Sequence, residues 1–342
     1  MFKRIITMWM ARNREFLRDR AAFGWNVVFP FLLVAGFAII FGGKESAQYK
    51  VGVFPCSESA CVSEVLLAVK YVQYVPLPDL ETGLDKLNHH KIDLLLRAGA
   101  SPYDFWVNDT SPNGYIVQRM IAGSLVPAAS SPLVQQPGGG GKTSRYIDWF
   151  FPGVVGMNMM FSALYGVGYV IVRYRKNGVL KRLHATPLTA FEYLSAQMLS
   201  RLCMIALAVV ILWTGCSLIF HLTVEGSYLD LAVMLGVGSL SLISLGLVVA
   251  SRCASEELAD GLLNAISWPM MFLSGVWFSI EGAPGWVVVI SKFFPLTHML
   301  AGVRKIMNDG VPLSGVMPEI EALLIMTALF LGISALAFKW HK

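Results

Sequence analysis

Six predominantly apolar runs set the plan of this chain, over residues 23–41, 148–172, 193–220, 229–250, 261–280 and 319–338. Each is long enough to cross a bilayer as a helix, which takes about 20 residues. The last run opens on Pro318, Glu319 and Glu321, a helix start with acidic side chains at the positive end of the dipole. A further apolar stretch, 281–304, is broken by Pro284, Lys292 and Pro295. It reads as a re-entrant pair of short helices, because broken backbone at membrane depth survives only where protein or water covers it. Counting it as a span would place Lys339 and Lys342 on the opposite side from the other basic segments.

Between the first two runs lies a polar region, 44–146, in which the pattern changes period. Strands are predicted at Tyr49 to Phe54, Tyr71 to Leu77, Ile92 to Arg97 and Tyr103 to Asn108. Helices are predicted from Glu58 to Lys70, from Leu80 to Lys91, and from a Thr110 or Ser111 cap with Pro112 in the first turn to Val126. That alternation describes a small α/β domain. Residues 127–145, rich in Pro, Ser, Gln and Gly, read as a flexible linker. The fold class is thus an α-helical polytopic membrane protein with an inserted α/β domain.

Charge adds orientation. Residues 1–22 carry Arg12, Arg14, Arg18 and Arg20 among Ile5, Met8, Trp9 and Phe16, a basic amphipathic helix suited to a membrane surface. Positive charge directly before the first run places the N-terminus in the cytoplasm and the α/β domain outside. The first run has no small-residue cleavage pattern after it and reads as an uncleaved anchor. Between the second and third runs, 173–192 form a short basic loop. Arg173, Arg175, Lys176, Lys181 and Arg182 crowd its first half, and Val179, Leu180 and Leu183 share one face of a short helix that Pro187 ends. Thr189 and Glu192 have the spacing of a capping box, with Leu188 placed to staple onto Tyr193. Such a loop either fixes membrane orientation or receives force from the cytoplasmic side.

The composition fits: 342 residues, 55% hydrophobic and 14% charged, against about a quarter charged in average soluble domains. The net charge of +5 gathers at span ends and lacks the aromatic interleaving of a single-strand nucleic-acid binder. Cys56 and Cys61 lie in the polar region and are either a disulfide or two free thiols; Cys203 and Cys216 read as small hydrophobes in an apolar run. No metal pattern completes around them, since His89 and His90 have no matching ligand set. Four glycines followed by Lys142 and Thr143 imitate a phosphate loop, but Gln136 stands where its first glycine belongs and neither flank fits. The spans are almost bare of ionisable groups; Arg201, about two turns into its predicted helix, is the main departure. Ion-coupled carriers and intramembrane proteases need such groups, so the energy for any transport would have to come from outside this polypeptide.

The whole layout resembles the permease subunits of type-2 ABC exporters, bacterial relatives of lipid and multidrug exporters. Its most specific residues are Arg173, Gly178, Arg182, Leu183, Thr186 and Pro187, similar to the family's RE-x-G-T-x-x-R-L-x-x-T-P run. A second block runs from Phe294, Pro295, Leu296 and Thr297 to Ala301, Gly302, Val303 and Arg304. Tyr174, Lys176, Asn177 and Val179 depart from that pattern, which commonly has acidic residues near the first arginine and before the glycine.

The resemblance implies an inner-membrane permease with no ATPase site or cofactor of its own, both termini in the cytoplasm. It implies a second copy or paralogous permease, and separate ATPase subunits that hold ATP and magnesium. ATPase closure would act through Arg173, Arg175, Gly178, Leu180, Arg182, Leu183, Thr186 and Pro187. The broken segment, with Glu281, Phe293, Phe294, Pro295, His298 and Arg304, would close the external end. The aromatic and methionine residues around Met270, Met271, Phe272, Trp277, Phe278, Phe293 and Phe294 are compatible with an amphipathic, drug-like or lipid-like cargo, and equally with helix packing or lipid contact. A periplasmic adaptor on the external domain is a further expected partner, suggested only by that domain's size and position. The rival reading is an ATPase-driven mechanotransmitter or regulatory protein that moves nothing across.

Overall fold

The computed structural model describes residues 2–41, 49–56, 64–67, 69–88, 91–98, 104–108, 111–125, 146–253, 255–280 and 283–337. The 127–145 linker with its glycine run, Cys61, His89, His90, Glu281, Lys339 and Lys342 lie outside the described residues. The chain divides into two compact units, Ile40–Thr143 and the combination of Met1–Ile39 with Ser144–Lys342.

The smaller unit is built on a four-stranded sheet in the order β2-β1-β3-β4. Strands β1 (Tyr49–Phe54), β2 (Val72–Pro76) and β3 (Leu94–Arg97) run parallel, and β4 (Phe105–Val107) closes one edge antiparallel. Because alternate residues face opposite sides, β1 feeds two cores. Val51 and Val53 pack with Leu94, Leu96, Val117 and Ile121. Phe54 packs on the other face with Leu77, Leu87, Ile92 and Leu95. A Cβ on Gly52 would stand 2.7 Å from the Leu77 side chain and 2.8 Å from Ile92, so this central position takes no side chain. Ser111 caps the helix Pro112–Ser124 by accepting from Gly114 N, with proline in its first turn. Of the helix expected from Glu58, the described part is Glu64–Leu67.

The larger unit is helical. Among the described residues, four helical stretches are long and apolar enough to cross a membrane: Ile147–Lys176, Ala190–Phe220, Tyr228–Arg252 and Leu313–Ala337. The pair Gly285–Ser291 and Pro295–Asp309 is bent by 92° and makes a fifth if counted as one span. Helix Arg20–Phe41 has a shorter apolar segment, Gly24–Ala38. The expected run at 261–280 differs in detail. Its helix is Glu256–Leu273, which begins on acidic Glu256 and Glu257 and ends in a turn at Ser274 and Gly275.

Helix Tyr228–Arg252 is the packing centre, burying Leu231, Met234, Leu242, Ile243 and Leu247. It meets helix Pro295–Asp309 through a reciprocal fit. A Cβ on Gly238 would stand 2.4 Å from Met299 Sδ, and one on Gly302 would stand 2.4 Å from Met234 Cε. Each glycine is thus the socket for the other helix's methionine, the close approach by which membrane helices gain dispersion contact. Helix Met317–Ala337 turns Ile325, Leu329 and Leu336 outward. Rows of this kind suit a surface solvated by lipid chains.

Candidate functional site

The basic loop is a hinged, tethered helix. The stretch Tyr146–Ala163 passes through a π-helical turn, Leu164–Tyr169, into Val170–Lys176. Gly178 then adopts φ +70°, the left-handed region open to glycine, and starts the short helix Val179–His184. The chain leaves through Thr186, whose hydroxyl donates to Leu183 O at 2.6 Å, and Pro187. The capping box forms as spaced: Glu192 N donates to Thr189 Oγ1, and Thr189 N donates to the Glu192 carboxylate at 2.9 Å.

Within this loop the residues named from sequence divide into two sets. Arg173, Arg182, Thr186 and Pro187 are exposed, as are Lys176 and Lys181. Leu180 is fully buried and Leu183 half-buried, so they anchor the short helix to the bundle and leave its basic face free to meet a partner. Arg175 turns inward and donates to Cys253 O at 2.7 Å, tying the loop to the start of helix Glu256–Leu273.

The positions that depart from the family pattern carry the loop's other tethers. Tyr174 donates to Glu15 at 2.6 Å on the N-terminal helix Phe2–Arg18, and Arg12 donates to the Tyr174 hydroxyl while lying 4.9 Å above its ring. Arg12 also pairs with Glu15 at 2.7 Å and donates to Gln197 at 2.9 Å. Lys176 lies 3.5 Å from Glu256 and 3.5 Å from Glu257. Tyr169 donates to Glu256 at 2.7 Å. Carboxylates from neighbouring helices therefore meet two phenols and an ammonium here. The sequence signal was available in Glu15, Glu256 and Glu257, but which helix faces which is a tertiary fact.

The N-terminal helix lies along helix Ala190–Phe220. Arg4 donates to Pro187 O and lies 3.8 Å from Glu192, and Ser200 donates to Asn13 at 2.5 Å. Of the arginines named on this helix and its continuation, Arg12 faces the loop, Arg14 and Arg18 are exposed, and the Arg20 side chain lies outside the described residues.

At the start of the helical stretch Tyr146–Lys176, the broken segment forms its own cluster. Phe294 precedes the helix at Pro295, Phe293 is 72% exposed, and His298 Nε2 lies 2.8 Å from Lys292 O. Thr297 donates to Ser274 at 2.9 Å. Arg304 donates to Gly275 O at 2.8 Å and lies 4.1 Å over the Trp149 ring, joining helix Pro295–Asp309 to the 274–278 turn and the start of helix Tyr146–Ala163. Phe37 and Phe150 stack beside it at 4.3 Å, with Trp277 at 5.7 Å from Phe150. Glu281 lies outside the described residues.

An apolar crevice of about 170 Å³ opens between Phe151, Val155, Val210, Trp213, Tyr228 and Leu235. Among the described residues no group of three metal-ligating side chains converges. Cys56 is buried and disulfide-bonded, while Cys203, Cys216 and Cys253 are free.

Arg201 is the residue sequence reasoning undervalued. It stands about three turns into its helix, is buried, and donates to both the carbonyl and the hydroxyl of Ser162. An arginine inside an apolar run was the signal.

A family model described as "ABC-2 family transporter protein" matches residues 21–336. The chain is similar to the "Probable multidrug ABC transporter permease YbhS" of Escherichia coli, 22% identical over 100% of this chain and 97% of that protein. It is 24% identical to the "Inner membrane transport permease YhhJ" of Escherichia coli over 56% of this chain and 52% of that one. It is also 27% identical to "ABC transporter G family member 20" of Dictyostelium discoideum, over 51% of this chain but only 24% of that protein.

Proposed function

This chain belongs to the ABC-2 family of transporter proteins, and from that premise we propose that it is the transmembrane permease of an ATP-driven exporter. ATP and magnesium bind a separate ATPase subunit, which docks on the basic loop. Six segments cross the membrane in this reading: 20–41, 146–176, 190–220, 228–252, 256–273 and 317–337. The basic loop and both termini are cytoplasmic, and the α/β unit is external. The broken segment at 281–304 closes the external end. Two permeases, identical or paralogous, enclose the path.

One observation carries the reading. The short helix Val179–His184 hangs from a left-handed glycine, buries Leu180, and turns Arg182 outward, with the exposed Thr186 and Pro187 just beyond it. A rigid basic knob on a hinge, roped to the bundle through Tyr174, Arg175 and Lys176, is built to take a push and pass it on. The cargo is an amphipathic, drug-like or lipid-like molecule, in keeping with the multidrug permease names of its relatives. The exposed face of the α/β unit is the surface for a periplasmic adaptor.

The test is reconstitution in proteoliposomes with candidate ATPases. Binding of an ATPase and ATP-dependent efflux of a cationic amphiphilic dye or a labelled lipid are expected, both weakened by Leu183→Asp. An ATPase that binds and turns over without any cargo crossing would support the mechanotransmitter instead. Failure of every ATPase to bind would end the proposal.

A further inference from the structure

A guanidinium in a glycine notch lies where the helical stretch Tyr146–Lys176 changes its winding. Arg201 sits on helix Ala190–Phe220 and is buried. A Cβ on Gly166 would stand 2.0 Å from Arg201 Cζ and 2.1 Å from its Nε, so the arginine occupies the volume that any side chain at 166 would need. Its Nε donates to Ser162 O, and a terminal nitrogen donates to Ser162 Oγ at 2.7 Å. The guanidinium lies 5.4 Å from the Phe16 ring centre on the N-terminal helix. Among the described residues no carboxylate pairs with it. A charge buried at such cost on carbonyl and hydroxyl partners alone is a device of specificity more than of stability.

The π-helical turn Leu164–Tyr169 begins two residues beyond Ser162, and past it Val170 N donates to Tyr165 O, five residues back. A carbonyl in an α-helix takes the N–H four residues on, so a π-turn disturbs that pairing locally and carries one extra residue. One residue changes the angular setting of everything beyond it by about 100° and its height by about 1.5 Å. The place of the π-turn therefore decides which way Val170–Lys176 faces. In the setting observed, Tyr169 reaches Glu256, Tyr174 reaches Glu15 and Arg175 reaches Cys253 O. On the side away from Arg201, Gly168 packs against Gly246 O, with its Cβ position 3.1 Å from that oxygen. The π-turn is thus held from both sides at glycines.

We propose that Arg201, seated in the Gly166 notch, pins the π-turn at 164–169 and so sets the rotational register between the transmembrane helix and the ATPase-facing loop. It is a positioning residue, acting through the helix it grips. This rests on the coupling role given to that loop above. A push on the loop is transmitted as rotation of 170–176 only while the π-turn stays in place.

The test uses the full chain with 3-fluorotyrosine at position 169 alone, whose ¹⁹F resonance reports the hydrogen bond to Glu256, calibrated with Glu256→Gln. Arg201→Gln and Gly166→Ala are each expected to move that resonance toward the Glu256→Gln position, although neither residue is a partner of Tyr169 in that bond. Arg201→Lys, which keeps the charge and one donor, is expected to restore it in part. Reconstituted with the ATPase, Arg201→Gln is expected to lower transport per ATP hydrolysed by about ten-fold. If Gly166→Ala does not fold, the Arg201→Gln and Arg201→Lys pair decides alone. A resonance that stays in place in Arg201→Gln overturns the proposal, and so does wild-type transport per ATP with the resonance moved. The spectroscopic arm needs no ATPase, so a chain that docks none refutes the coupling function while the pin is judged on the resonance.

Discussion

Substituting Gly178 isolates the backbone conformation of the basic loop at 173–192 from its packing. The residue has φ +70° and nothing within 4 Å of the position its Cβ would take, so alanine there meets no neighbour. Any effect is conformational: an L-residue in the left-handed region costs roughly 1–2 kcal/mol, while asparagine tolerates it better. If the hinge must keep this geometry to hold the short helix, Gly178→Ala shifts the local equilibrium toward frayed loop by about ten-fold, and Gly178→Asn by clearly less. Hydrogen exchange of amides 179–184 in the reconstituted protein measures the opening directly. Transport per ATP in the same vesicles measures its consequence. The order expected is wild type, then Asn, then Ala, then Pro, in both readouts. An Asn variant worse than Ala would show that the φ argument is wrong. Protection changed in that order with transport untouched would show that the loop is structural and not a coupling element.

Other consequences follow from contacts in the two units. Tyr174→Phe removes a hydroxyl bonded to Glu15 and Arg12 but keeps the ring under the guanidinium. With Glu15 exposed, a loss of about 1 kcal/mol is expected, and more for Tyr174→Leu; a double-mutant cycle with Glu15→Gln on thermal stability in detergent checks it. Gly238→Ala drives a Cβ to 2.4 Å from Met299 Sδ and is expected to destabilise the helical unit by about 1–3 kcal/mol, with Met299→Ala relieving the clash. In the α/β unit, the Asp79 carboxyl is held below its usual range, chiefly by the Thr82 backbone N–H it accepts at 2.7 Å. Its folded-state value is depressed, so its contribution is present above about pH 4 and lost as pH falls through the folded value. Asp79→Asn is expected to flatten the acid limb of local exchange protection in helix Leu80–Asn88, and an unchanged limb would contradict a stabilising role for the Thr82–Asp79 hydrogen bond.

The sequence by itself determined the features that depend on neighbours along the chain. Apolar runs of membrane length, the strand and helix alternation of 49–124, the Thr189–Glu192 box, a cap at Thr110 or Ser111 and the break at Pro295 are written in local pattern. Period and capping chemistry act over a few residues. The same pattern left the helix at 256–273 displaced from its expected bounds. A cap at Ser255 and the Gly275 turn outweighed the hydrophobicity of the residues that follow. The loop's tethers were not legible. Tyr174 and Lys176 looked like losses of acidic partners, and only the tertiary structure brings Glu15, Glu256 and Glu257 to them. The bent segment was visible as broken apolar sequence, yet its hold on Trp149 and Gly275 through Arg304 was not. Nor could the sequence distinguish Gly166, Gly238 and Gly302 from any other glycine in an apolar run. Their meaning is the side chain that another helix inserts, and that choice is made by packing between segments distant in sequence, where no local period records it.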